Sequence, residues 1–213
     1  MYLPDNSKAL DAATQSKITP PAALEMLKSG NKRFLDGQPL NRDLHSQVKQ
    51  TTGGQYPFAA ILSCIDSRVP AETVFDQGIG DIFSVRVAGN FINPDVLGSI
   101  EYSCKVAGSK LVVILGHTAC GAVKGACDHV ELGNITQMLD KIMPAVKAVK
   151  TPEGADRSSA NSDFVNNVVN KNVELSIQRL LAESDVLREM KAAGEIDVVG
   201  AVYDVKDGSV KFM

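Results

Sequence analysis

Residues 111–115 read Leu-Val-Val-Ile-Leu, five apolar residues with no polar interruption. A run this short is of strand length, far from the roughly 20 apolar residues of a membrane span. Three of the five are β-branched, which favours a pleated strand over a helix. A strand that is apolar at every position must be covered on both faces, as happens to a central strand of a parallel sheet with helices packed above and below.

The rest of the chain agrees with that placement. Strand-like segments are expected at 58–63, 82–87 and 198–203, and helical periodicity at 96–107, closed by Gly108, and at 119–130, 135–149, 165–181 and 185–193. The polar, Pro- and Gly-containing stretch 151–161 reads as a loop. Asp207-Gly208 between short β-type segments reads as a hairpin turn. Strands alternating with helices imply an α/β fold with a mostly parallel central sheet flanked by helices. Residues 1–19 are polar and aperiodic and are expected to form a flexible N-terminal arm, leaving 20–213 as a single domain. Thr19 is the expected N-cap of a helix that opens on Pro20 and Pro21, carries Ala23, Leu24, Leu27, Phe34 and Leu35 near helical spacing, and stops at Gly37. Its amphipathic character calls for a surface to lie on, in this chain or in a partner subunit.

A net charge of -3 gives no electrostatic footprint for nucleic acid, and no basic run marks a membrane surface. The first residues contain no apolar signal-peptide core, so a cytoplasmic location is expected, with a periplasmic one as the alternative if a signal was removed before the numbering begins. Four cysteines, at 64, 104, 120 and 127, are too sparse for a disulfide-stapled scaffold, so metal binding or burial is expected of them.

Reactive side chains concentrate in two places. Cys64-Ile65-Asp66-Ser67-Arg68 follows the 58–63 strand, and Gly116-His117-Thr118-Ala119-Cys120-Gly121 follows the 111–115 strand. Both lie at carboxyl ends of expected parallel strands, the edge where open α/β sheets bind ligands. Taken alone, His-x-x-Cys usually means a buried Cys beside a surface His, and Cys-x-Asp carries less. Together at two strand ends they favour a metal. Thiolate and imidazole suit zinc, and three protein ligands leave a fourth position open for catalysis. Cys64, His117 and Cys120 are the expected ligands. Asp66 is either a fourth ligand or an acceptor for a hydrogen bond from bound water, held in either case by the fork of Arg68. Cys104, in a helical pattern, and Cys127, with His129 nearby, have no such setting and read as structural.

These motifs resemble the β-class carbonic anhydrases, whose pattern C-x-D-S-R followed about fifty residues later by H-x-x-C-G is present at Cys64 to Arg68 and His117 to Gly121. The runs RVPAETVFDQGIGDIFSVRVAGN and GSIEYSCKVAGSKLVVILGHTACGAVKGA are also similar to the family, and the likeness covers roughly 20–210. It implies four parallel strands plus an antiparallel edge strand, and a homodimer or homotetramer with active sites at subunit interfaces. It also implies that the N-terminal helix packs on the partner. Gln55, Phe83 and Tyr102 match the plant-like branch. There Gln55 would hydrogen-bond the substrate, Phe83 and Tyr102 would reach in from the neighbouring subunit to line an apolar pocket, and Gly121 would complete the substrate-binding set. The absence of Trp from the chain counts against the other, bicarbonate-regulated branch.

The implied reaction is zinc-dependent, reversible hydration of carbon dioxide to bicarbonate and a proton. Zinc-bound hydroxide attacks carbon dioxide, oriented by the Asp66–Arg68 dyad. An open state pairs Asp66 with Arg68; a closed state puts Asp66 on zinc. His45 and His129 are the other histidines that could carry the proton away. Three rivals remain: carbon disulfide hydrolysis, which the resemblance also allows on the same fold, a thiol enzyme in which His117 activates Cys120, and a non-catalytic zinc module, against which the dyad argues.

Overall fold

The computed structural model describes residues 2–213. In chain order the elements are α1 (Ala12–Gln15), α2 (Pro20–Leu35), α3 (Leu44–Gln50), β1 (Ala59–Ser63), α4 (Ala71–Val74), β2 (Ile82–Arg86) and α5 (Pro94–Glu101). A π turn follows (Tyr102–Val106), then β3 (Leu111–His117), α6 (Gly121–Cys127), α7 (Gly133–Asp140), α8 (Met143–Ala148), α9 (Ser162–Glu183), α10 (Asp185–Ala192), β4 (Asp197–Tyr203) and β5 (Val210–Phe212). The five strands form one sheet in the order β2-β1-β3-β4-β5. The first four are parallel, and β5 is antiparallel to β4. This is the α/β architecture the alternation implied.

β3 is central and every one of its residues is buried. The two-residue period of a strand divides its side chains between two cores. Leu111, Val113 and Leu115 join Phe58, Ile61 and Phe75 under α2, while Val112 and Ile114 join Leu62, Ile100 and Leu180 on the opposite face. Each fully buried Leu contributes roughly 1.5–3 kcal/mol relative to exposure. α9 lies close over β3 and β4 because both strands present glycine beneath it. A Cβ on Gly116 or on Gly200 would come within 2.8 Å of a Val173 methyl.

Three expectations are corrected. Residues 1–19 are not a loose arm throughout. Leu10 and Ile18 are buried in the core, and the Gln15 amide donates to the carbonyls of Pro57 and Ala107, both at 2.7 Å. The helix α2 is capped by Thr19 as expected, but its apolar face, Ala22, Ala23, Met26 and Leu27, is covered by this chain's own sheet rather than left for a partner. Its Asn31 ties it to two other segments: the amide donates to Val74 O and Gly208 O, and Oδ1 accepts from Val210 N–H, all at 3.0 Å. The expected helix over 135–149 is two helices, α7 and α8. Pro144 stands in the first turn of α8, where its lack of an N–H is harmless; mid-helix it would have removed a bond and clashed with the preceding turn.

Candidate metal centre

The strand ends bring the three expected ligands together. Cys64 follows the last residue of β1, His117 is the last residue of β3, and Cys120 is the N-cap of α6. β1 and β3 are neighbours in register, with Ser63 opposite Leu115, so the two motifs emerge side by side. The donor atoms of Cys64, His117 and Cys120 lie within 4.8 Å of one another, all three residues buried, and the two Sγ atoms are 4.0 Å apart. A tetrahedral ion with metal–sulfur bonds of ~2.3 Å needs an S···S edge of ~3.8 Å, so the spacing fits zinc with little adjustment.

The histidine fits as well. His117 Nδ1 lies 2.9 Å from the Thr118 carbonyl oxygen, which can only accept, so Nδ1 carries the hydrogen and Nε2 keeps its lone pair. That Nε2 is buried and has no hydrogen-bond partner among the described residues. A buried acceptor without a partner is costly, and a metal ion between it and the two sulfurs removes the cost. Hydrogen bonds from the Cys120 thiol and the Gly89 N–H (3.3 Å) pull the Cys64 thiol far below its ordinary range. The bond to Cys64 and burial hold Cys120 far above its own. Two thiolates in this pocket therefore require a cation.

Asp66 stands at the rim. Arg68 grips it in a fork, Nε to Oδ1 at 2.9 Å and Nη2 to Oδ2 at 2.8 Å, and the Arg68 N–H adds a third bond to Oδ1 at 3.0 Å. These bonds keep the carboxyl below the usual range, so it is ionised and acceptor-only. Its Oδ2 lies 3.9 Å from His117 Nε2, next to the three-ligand cluster. Asp66 is thus paired with Arg68, the pairing expected of the open state.

Sequence reasoning missed Arg86. Its Nε donates to Cys64 O (3.0 Å) and its Nη2 to Asp66 O (2.6 Å), clamping the backbone of the first motif. The available signal was a charged residue closing a short strand. Asn172 of α9 is a second case, holding the Gly89 carbonyl at 2.8 Å behind Cys64.

The expected substrate residues do not gather at the cluster within one chain. Gln55 is exposed and precedes β1, whereas Cys64 follows it; five strand residues, or about 16 Å, lie between. Phe83 pairs with Ala60 near the same far end. Its ring meets Tyr102 edge-on, 6.1 Å between centroids and 75° between planes. The two line an open cavity of about 830 Å³ along β2, an edge strand. Gly121 is exposed and begins α6 beside Cys120, with nothing within 4 Å of where a Cβ would sit. His45 and His129 are both exposed. Cys104 and Cys127 are buried outside the metal cluster, and burial pushes their thiols up to about 12 and about 11.

The chain matches the profile of a family described as carbonic anhydrase over residues 59–210, a span that contains both motifs and the whole parallel sheet. The chain belongs to the carbonic anhydrase family. It is 37% identical over 197 residues to carbonic anhydrase 2 of Mycobacterium tuberculosis, covering 89% of this chain and 90% of that protein. It is equally 37% identical over 198 residues to a carbonic anhydrase of Mycolicibacterium smegmatis, covering 90% and 92%. Among solved structures, a tetrameric β-carbonic anhydrase of Sordaria macrospora superposes with a TM-score of 0.68 at 25% identity, over 78% of this chain and 85% of the other. The β-carbonic anhydrase zinc centre is thus the frame for the Cys64, His117 and Cys120 cluster.

Proposed function

We propose that this chain is a β-carbonic anhydrase that interconverts carbon dioxide and water with bicarbonate and a proton at the carboxyl ends of β1 and β3. The observation that carries the reading is the meeting of Cys64, His117 and Cys120 around one point, with the buried lone pair of His117 Nε2 aimed into it and Asp66 beside it. Zinc, held by those three residues, supplies Lewis-acid activation of water near neutral pH. Arg68 holds the Asp66 carboxylate as an acceptor, and Asp66 orients the attacking water by taking its hydrogen bond through Oδ2. Arg86 keeps the Cys64–Asp66 backbone from drifting relative to His117. The proton released on forming bicarbonate leaves through the exposed side of the Asp66–Arg68 pair.

Gln55, Phe83 and Tyr102 serve a site other than that of their own chain. The exposed β2 edge and its aromatic pair support a homodimer or homotetramer in which a partner subunit brings them to Cys64, His117 and Cys120. Stopped-flow carbon dioxide hydration tests the reading. Turnover should disappear when a chelator strips the protein and return when zinc is restored. Turnover of carbon disulfide without hydration of carbon dioxide would contradict it.

A further inference from the structure

The turn that carries two of the three metal ligands is held from the far end of the chain. Between His117 and Cys120, Ala119 has φ 54°, a left-handed conformation that non-glycine residues adopt only when the surroundings hold them there. Thr118 is gripped at three points by the segment leading into the C-terminal hairpin. Its N–H donates to Tyr203 O (2.9 Å), its hydroxyl donates to Asp204 Oδ1 (2.9 Å), and its Oγ1 accepts from Val205 N–H (3.0 Å). Asp204 Oδ1 is itself fixed by the Lys206 N–H at 2.9 Å. On its other side Thr118 offers the carbonyl that takes the Nδ1–H of His117.

We infer that Thr118 and Asp204 are positioning residues for the metal centre. They fix the peptide plane that sets the tautomer of His117, and they hold the left-handed Ala119 turn that delivers Cys120 to Cys64. The inference rests on reading Cys64, His117 and Cys120 as metal ligands. It concerns geometry rather than charge: position 204 must present an acceptor and position 118 a hydroxyl, both behind the histidine and out of contact with substrate.

Zinc affinity, measured by competition with a chromophoric chelator, and the thiolate-to-cobalt absorption bands of the cobalt-loaded protein test it. Asp204→Ala and Thr118→Val should each weaken zinc binding by about 10- to 100-fold and alter the cobalt bands. Asp204→Asn keeps an acceptor oxygen and Thr118→Ser keeps a hydroxyl, so both should stay near wild type. Asp207→Ala loosens the same hairpin by removing the acceptor of the Ser209 N–H (2.9 Å) and hydroxyl (2.7 Å) without touching Thr118. It should lower the melting temperature and leave zinc affinity unchanged. Should Asp204→Ala fail to fold, the isosteric Thr118→Val carries the test. Unchanged zinc affinity in Thr118→Val, or an equal loss in Asp207→Ala, would overturn the inference alone. Wild-type protein that binds no zinc would overturn the metal reading and this inference with it.

Discussion

Two carboxylate–arginine groups lie ten residues apart in this chain, Asp66 with Arg68 and Asp76 with Arg33 and Arg42. Asp76 is sealed. Its Oδ2 accepts from Arg33 Nε at 2.5 Å and Leu40 N–H at 3.2 Å, its Oδ1 from Arg42 Nη1 at 2.5 Å, and even its carbonyl takes Arg42 Nη2 at 2.6 Å. Its side chain and that of Arg42 are each only 5% exposed. Asp66 is paired just as regularly, yet Arg68 is 52% exposed, and the neighbouring His117 Nε2 lacks a partner among the described residues. A charge whose bonds are all met inside the protein joins segments of the fold. A charge at the rim, beside a buried lone pair that has no partner, is arranged for something that arrives from outside.

Mutation should separate the two groups. Asp76→Ala leaves Arg42 buried without its carboxylate and should cost about 3 kcal/mol of stability, read by denaturant unfolding. A cost near zero would mean that the cluster is not what joins residues 33–42 to the segment after α4. Asp66→Asn should do the reverse. Hydration should fall about 100-fold, near 2.7 kcal/mol in the barrier, while the zinc content and the melting temperature stay close to wild type, because an exposed ion pair adds little stability. Full activity with zinc lost would make Asp66 a structural ligand and erase the contrast.

A third carboxylate sharpens the comparison with a smaller effect. Asp81 is fully buried, with Gly78 N–H on Oδ2 at 2.7 Å and nothing on Oδ1 among the described residues. Burial raises it from 3.8 to about 6. A raised folded-state value means that its contribution to stability is fully present below about 4 and is lost as pH rises through about 6. The melting temperature of wild type minus that of Asp81→Asn should therefore fall across that window. A flat difference would show that Asp81 stays protonated, or is hydrated, throughout.

Much of this was readable before any coordinates. An unbroken apolar strand at 111–115, strands alternating with helices and an Asp-Gly turn gave the parallel sheet and its antiparallel edge, because each is a local pattern with one dominant structural solution. The three ligand types at two strand ends marked the metal centre for the same reason. What was not readable depends on residues distant in the chain. Gln15 reaches Pro57 and Ala107, Asn31 reaches Val74 and Gly208, and Asp204 reaches Thr118, none of them through a periodic signal. The face of α2 was legible as apolar, but a hydrophobic stripe does not state which surface covers it. Arg86 was overlooked because an arginine at a strand end resembles any other surface charge until its carbonyl partners are known.

The central claim is that Cys64, His117 and Cys120 jointly hold one ion. Metal content measured by mass spectrometry in wild type and in Cys120→Ser tests it most directly, with circular dichroism confirming that both are folded, since loss of a ligand can also loosen the fold. The account predicts one zinc per chain in wild type and little or none in the variant. Full zinc in Cys120→Ser would contradict it.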